Sequence, residues 1–334
     1  MADISTIDRE AGRLVLSREG LIEAAPEALA EEGWSEFELL STERALGGAP
    51  RLREAATRVH QVAPGPVPDA SAAVLDQVES ERLVALGGGR VIDAAKAIAA
   101  VRGGEVAAVP TTLSGAPITA IHRLPAGHEG RSGVRPALVL ADPEAMTDLP
   151  EPELRATAMN ALAHGADALY TPLADETSRE LSQTGARLIA NALDQDPEER
   201  DRSGLAEGAL LTARAVDRAG IALHHVLGQT TVRVCGTPHA ETYAALLPLT
   251  MEEMGRRAPE QTAALAHALG VEAGAIRRRI EELAGGRRRL SELGAERECF
   301  EATLDEAMAR GELEHMTPGE VTREDLARVL EEAW

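Results

Sequence analysis

Around Leu149 the sequence changes its rhythm. Up to residue 148, short apolar runs alternate with stretches of helical spacing; beyond it, nearly everything repeats at three and four residues. RLVLS (13–17), EFELLS (36–41), RLVALGGG (82–89), EVAAVPTT (105–112) and PALVLADP (136–143) read as strands. GLIEAAPEALAEEG (20–33), APRLREAATRVH (49–60), ASAAVLDQVES (70–80) and VIDAAKAIAAV (91–101) read as helices. Strands alternating with helices predict a mainly parallel sheet with helices on its faces. The expected plan is an α/β domain over 1–148 and an all-helical domain over 149–334. The prolines of ADPEAMTDLPEPE mark the joint.

A chain of 334 residues exceeds one comfortable core, which fits two domains. Hydrophobic residues make up 44% but aromatics only 2%, so Leu, Ala, Val and Ile must build the cores. The net charge of −21 repels nucleic acid over most of the surface. The arginine triplets at 277–279 and 287–289 lie among Glu281, Glu282, Glu292 and Glu296, and read as solvated, charge-mixed faces. Cys235 and Cys299 lie far apart and outside any CxxC pattern, so unpaired, inert thiols are expected. No signal peptide is legible in MADISTIDREAGRL, and no run approaches the roughly 18 apolar residues of a membrane span. A soluble cytoplasmic protein is the expectation.

Four segments could carry chemistry. In the first, a strand ends in Gly87-Gly88-Gly89 and a helix follows at once. Glycines let backbone N–H groups approach a ligand, and a helix N-terminus favours anions, so this is a phosphate-binding arrangement. The second, VPTTLSGAPIT (109–119), puts Thr111, Thr112 and Ser114 after another strand of the same sheet, where α/β sheets bind ligands. The third is ATAMNALAHGADALY (156–170), with Asn160 and His164 one helical turn apart. The fourth, GIALHHVLGQTTVRVCGTPHAETYAALLP, contains His224, His225 and His239. Four of nine histidines fall in these last two segments, which makes His164, His225 and His239 a candidate cluster.

In this order the segments resemble the iron-containing (group III) alcohol dehydrogenase superfamily, and within it the maleylacetate reductases. The family's GGGxxxDxxK signature is matched by Gly87, Gly88, Gly89, Asp93 and Lys96, and its PTT loop by Pro110, Thr111 and Thr112. MNALAHGADALY, LHH…PHAE and the C-terminal VTREDLARVLEEAW are similar to the reductases, so the likeness spans nearly the whole chain. It implies a dinucleotide-binding α/β domain before a helical catalytic domain, NAD or NADP as cofactor, a homodimer, and a site in the cleft between 87–131 and 156–243. Metal-dependent members hold iron or zinc with an Asp and three His; those positions are Asn160, His164, His225 and His239 here. An amide is a poor ligand for such a cation, so a metal-free site is expected. Without a metal, histidines must stabilise the alkoxide and move its proton, with His225 and His239 first and His164 in support. His224 is expected to pack or hydrogen-bond beside the cofactor.

Departures from the family cluster on the catalytic side. Gln229 replaces a histidine ten residues before the PHA motif, Arg90 replaces Ser or Thr, and TTLSGAPIT lacks the acidic residue of TTxxGSE. Arg131 stands for a lysine and still offers positive charge to a phosphate or carboxylate. A changed substrate follows, a small molecule or a peptide. The Ala- and Arg-rich composition suggests a high-GC bacterium and a biosynthetic role. Oxidation of a β-hydroxy acid such as a C-terminal threonine, followed by loss of carbon dioxide, is one concrete form. Two other readings stay open: a lyase like dehydroquinate synthase, and a non-catalytic binding subunit. Ser41 and Thr42, with Arg44 near, stand where an acidic residue would select NAD, which leaves room for NADP.

Overall fold

Among the described residues, seven short strands pair into one sheet in the order β1-β2-β7-β6-β5-β3-β4. They are β1 (Ser5–Asp8), β2 (Leu14–Ser17), β3 (Glu38–Ser41), β4 (Arg58–Gln61), β5 (Arg82–Gly87), β6 (Glu105–Pro110) and β7 (Leu138–Ala141). β1 runs antiparallel to β2, and the other described pairings are parallel. The computed structural model describes residues 5–8 by their backbone, and residues 12–130 and 133–334 in full. It divides into two compact units, Met1–Asp148 and Leu149–Trp334.

The first unit also contains α1 (Ala25–Glu31), α2 (Glu43–Gly47), α3 (Pro50–Ala55), α4 (Val67–Leu75), α5 (Gly89–Arg102) and α6 (Pro143–Thr147). Alternate strand residues Leu39, Val84, Leu86, Val109 and Leu140 point to one face and bury against Leu21, Leu29, Leu46 and Leu52. The central strands are buried on both faces, which is why they read as continuous apolar runs. Neighbouring β3 and β5 send their next connections opposite ways, toward β4 and toward β6. Their carboxyl ends, Ser41 and Gly87, therefore mark the switch point where such sheets bind ligands.

The helix expected over 49–60 is corrected. It stops at Ala55, Ala56 turns extended (φ −72°, ψ 139°), and Arg58–Gln61 forms the edge strand β4. Thr57 fixes the turn by giving both its N–H and its hydroxyl to Phe37 O. His60 then buries its ring against Glu38 of β3, Nε2 to Oε2 2.7 Å. A buried polar pair of this kind does not show in a hydrophobic pattern.

The second unit is entirely helical: α7 (Glu151–Tyr170), α8 (Glu176–Leu193), α9 (Arg202–Ala219), α10 (Leu223–Cys235), α11 (His239–Arg257), α12 (Pro259–Ala268), α13 (Ile276–Leu283), α14 (Phe300–Met308), α15 (Gly311–Met316) and α16 (Arg323–Ala333), with short 3-10 turns between. Helix α7 is buried along nearly all of its length from Ala158 to Tyr170. Its alanines keep it thin enough to be surrounded. Helices α8 and α9 touch backbone to backbone, since a Cβ on Gly185 would lie 2.7 Å from Gly208 O. In the first arginine triplet Arg277 pairs with Glu252 and Arg279 with Asp194, whereas Arg287 and Arg288 of the second donate to the carbonyls of Glu332 and Pro152. No helix among the described residues is long and apolar enough to cross a membrane.

The expectation of two unpaired thiols is also corrected. Cys235, the last residue of α10, and Cys299, just before α14, form a disulfide with their Cα atoms 5.4 Å apart. Packing of α10 on α14 brings them together across 64 residues of sequence.

Candidate active site

The glycine loop sits where β5 gives way to α5. Gly87 has φ +153°, a conformation that side chains rarely adopt. Val91 and Ile92 turn their N–H groups back onto Gly88 O, and no side chain caps this N-terminus. The N–H groups of Gly89 and Arg90 are thus left for a ligand, at the positive end of a 14-residue helix. The loop after β6 presses on the glycines: a Cβ on Gly88 would lie 3.0 Å from Thr112, and one on Gly89 3.0 Å from Ser114 Oγ. Thr111 gives its N–H to Gly87 O, 3.0 Å. Ser114 Oγ is buried beside Gly89 without a hydrogen-bond partner. Free amides, an orphaned hydroxyl and a helix N-terminus fit a phosphate group.

Beneath this loop Lys96 is completely buried. Its ammonium donates to Asp93 Oδ1 (2.7 Å), Ala116 O (3.2 Å) and Ile121 O (2.8 Å). All three Lys96 donors are used, so Lys96, with Asp93, clamps the 111–121 loop to α5, while Asp93 keeps its second oxygen and part of its surface. Ser41 and Thr42 are similarly occupied, by Leu86 O and by the start of α2. Arg131 lies outside the described residues.

In the helical unit, three helices converge. Asn160, His164 and Asp167 follow one another at four and three residues on α7, which puts them on one face. Helix α10 adds His224 and His225, and α11 adds His239 and Tyr243. His164 and His225 stack at 4.9 Å between ring centres. His239 joins them through Tyr243, whose ring lies 4.4 Å from His239, 5.1 Å from His225 and 5.2 Å from His224. All three predicted histidines belong to one cluster.

Asp167, which sequence reasoning missed, organises the cluster. It has no exposed surface. Oδ2 accepts His225 Nδ1–H at 2.7 Å and the N–H groups of Ala222 (2.9 Å) and His225 (3.2 Å); Oδ1 accepts the Tyr170 hydroxyl. Burial alone would raise its pKa, but the His225 hydrogen bond and charge, with Tyr170, bring it down to about 2. Burial, with the adjoining Asp167 charge, pushes Tyr170 well above its ordinary range, so it stays a donor. Occupied at Nδ1, His225 keeps Nε2 buried and without a partner.

The other three histidines are held neutral. Burial, then repulsion from His225, lowers His164 well below 6.5 and brings His224 to about 3. Thr250 Oγ1 already donates to Leu246 O, so it accepts from His224 Nδ1–H at 2.8 Å. His239 keeps an exposed surface yet is crowded by protein atoms, and that desolvation, with the His225 charge, lowers it to about 4. Asn160 Oδ1, His164 Nδ1, His224 Nε2 and His225 Nε2 are all buried without partners. So many orphaned polar atoms in one place mark a site for a polar ligand.

The donor set differs from an Asp-and-three-His metal site at one position. Asn160 brings no charge, and the His164 and His225 rings stack with their planes 21° apart. Among the described residues no three His, Cys, Asp or Glu side chains are placed to hold an ion.

A parallel sheet with a glycine loop at its switch point, ahead of a helical unit cored by histidines, is the architecture of a group of two-unit oxidoreductases. Residues 17–148 match the family model described as iron-containing alcohol dehydrogenase, and residues 155–334 match that for the C-terminal part of the Fe-containing alcohol dehydrogenase family. The chain belongs to the iron-containing alcohol dehydrogenase family. It is 32% identical over 282 residues to maleylacetate reductase 1 of Rhodococcus opacus, covering 81% of this chain and 78% of that protein. The solved maleylacetate reductase of Agrobacterium tumefaciens superposes with a TM-score of 0.85 at 26% identity, covering 100% of this chain and 99% of that one. An iron-containing alcohol dehydrogenase of Corynebacterium glutamicum gives 0.84 at 27%, covering 99% and 96%. The chain is therefore an oxidoreductase of this family, similar to the maleylacetate reductases.

Proposed function

We propose that this protein is a metal-independent, NAD(P)-dependent oxidoreductase that interconverts a carbonyl and an alcohol on a small acid or peptide. The observation that carries the reading is the 2.7 Å hydrogen bond from His225 Nδ1 to the buried Asp167 carboxylate. It fixes the tautomer of His225 and leaves Nε2 as the one atom through which a proton passes.

In the reductive direction, His225 gives its Nε2 proton to the oxygen of the forming alcohol; in the oxidative direction Nε2 removes it. Asp167 stabilises the imidazolium in both. Burial depresses His164, His224 and His239, so those three do not compete for the proton that the proposal places on the residue with a carboxylate partner. Gly89, Arg90 and Ser114 supply the donors for the phosphates of NADH or NADPH, while Asp93 and Lys96 hold the loop that frames them. The bound nicotinamide would supply or accept the hydride. Relatives named maleylacetate reductase support an oxo acid as substrate, and the homodimer remains part of the proposal.

The test joins turnover to metal content. Protein purified without a histidine tag is assayed for NADH and NADPH consumption with maleylacetate and other oxo acids, and its metals are counted. Turnover with less than about a tenth of a metal equivalent, unchanged by chelator, supports the reading; the threshold follows from one ion being needed per active site. Near one equivalent, lost together with activity in His239→Ala, overturns the metal-independent mechanism.

A further inference from the structure

The connection from β6 to β7 first sets Thr112 and Ser114 against the glycine loop. Its next stretch, residues 115–122, hangs on three buried side chains, Arg13, Lys96 and His122. Gly115 O accepts the N–H groups of Ile118 and Thr119, which turns this arm. Arg13 Nη1 donates to Ile118 O at 2.6 Å, and Lys96 donates to Ala116 O and Ile121 O. His122 works the other way round. Its Nε2 accepts two consecutive backbone N–H groups of the returning arm, Gly133 at 3.0 Å and Val134 at 3.1 Å.

A ring nitrogen that accepts two N–H groups carries no hydrogen of its own. The hydrogen of neutral His122 is therefore on Nδ1, which donates to Arg123 O at 3.2 Å. Protonation would add a hydrogen at Nε2, facing two backbone donors, and both bonds would be lost together. Arg13 and Lys96 stay charged through the neutral range, so of the three holding groups His122 is the one that titrates near it. Burial pushes His122 below its ordinary range; the bond to Arg123 O opposes this, and from α5 the Lys96 charge adds to it while Asp93 opposes it. The ring is thus neutral at pH 7.5 and gains its proton only in acid.

We propose that His122 is a positioning residue for the cofactor: its neutral ring closes the connection between β6 and β7 and so holds Ser114 beside the glycine loop, and its protonation loosens that connection and weakens cofactor binding. The proposal rests on the NAD(P) reading above.

The experiment is titration calorimetry of NAD+ and NADP+ against the full chain at pH 7.5, 6.0 and 5.0, for wild type, His122→Gln and His122→Phe. Circular dichroism checks the fold at each pH. Glutamine brings Oε1 to about the reach of Nε2, with two lone pairs and no proton to gain in this range. Where only the neutral form binds well, the apparent Kd rises as the neutral fraction falls, toward about tenfold per pH unit. Between pH 7.5 and 5.0 the wild-type Kd should therefore rise at least about threefold more than that of His122→Gln. Titration of the nucleotide and of other groups is common to both proteins and drops out of the comparison. His122→Phe fills the ring's place but accepts nothing, and should raise Kd about tenfold already at pH 7.5, as the loss of one or two hydrogen bonds does. Equal pH dependence in wild type and His122→Gln overturns the proposal alone. So does a His122→Phe protein that binds within about twofold of wild type while its urea midpoint falls, the mark of a merely structural histidine. Where one variant does not fold, the other decides. A wild type that binds neither nucleotide at pH 7.5 overturns the cofactor reading and this proposal together.

Discussion

Asp167 stays ionised with no exposed surface because four donors converge on it: one imidazole, one phenol and two backbone amides. Asp167→Asn keeps the shape and removes the charge, and its N–H2 end turned toward His225 Nδ1 would force the proton to Nε2. We expect kcat to fall by about 10² to 10⁴ with little change in KM, measured by steady-state kinetics over pH 6–9. An unaffected kcat would remove Asp167 and His225 from the chemistry. The histidines of this cluster were legible in the sequence because their spacing matched a known pattern. Asp167 was not, although it shares a helical face with Asn160 and His164; in an alanine-rich helix a lone aspartate looks like a solvated surface charge. What reveals it is the turn at Ala222 and the start of α10, which bring its donors from 55 and 58 residues away.

Among helices, the cluster makes the fold sensitive to acid. His224, ordinarily near 6.5, is held at about 3, and His164 is displaced the same way. Between those values the unfolded chain binds protons that the folded chain refuses, so stability is full above about pH 6.5 and is lost as pH falls. Each such histidine costs about 1.4 kcal/mol per pH unit in that window. Asp167, lowered from 3.8 to about 2, adds a further loss only below pH 3.8. Urea midpoints at pH 7.5, 6.0 and 5.0 should therefore fall in that order, and a flat series would mean that the histidines are not held neutral. The disulfide acts on the same helices, because it ties the end of α10 to the start of α14. Closing a loop of 64 residues constrains the unfolded chain by about 4 kcal/mol in the chain-entropy account, so reduction with dithiothreitol should lower the urea midpoint at pH 7.5. An unchanged midpoint after complete reduction, verified by thiol count, would sink that expectation. The elements themselves were largely visible in the sequence where apolar period was strong, as in β5, α5 and α7. Strand β4 and the disulfide were hidden for one reason: both depend on which residue a distant segment brings alongside, His60 to Glu38 and Cys235 to Cys299.

For the molecule as a whole, the charge of −21 opposes the approach of its own proposed cofactor, a dinucleotide with a negative pyrophosphate. Two fields compete. The repulsion is summed over the surface and reaches about 30 Å at 0.01 M salt but only about 10 Å at 0.1 M. The attraction is local: the N-terminus of α5 and the exposed Arg90 act over the last few ångströms, where salt screens little. Raising salt thus removes more repulsion than attraction. The kcat/KM for cofactor should rise about two- to fivefold between 0.01 and 0.15 M salt, and more for NADPH, whose 2′-phosphate adds charge. Stopped-flow association of NADH and NADPH, read by nicotinamide fluorescence, separates this from any effect on chemistry. A rate that falls with salt would mean that the basic groups around the glycine loop dominate the field felt by the cofactor, and that the net charge read from the sequence says little about the path it takes.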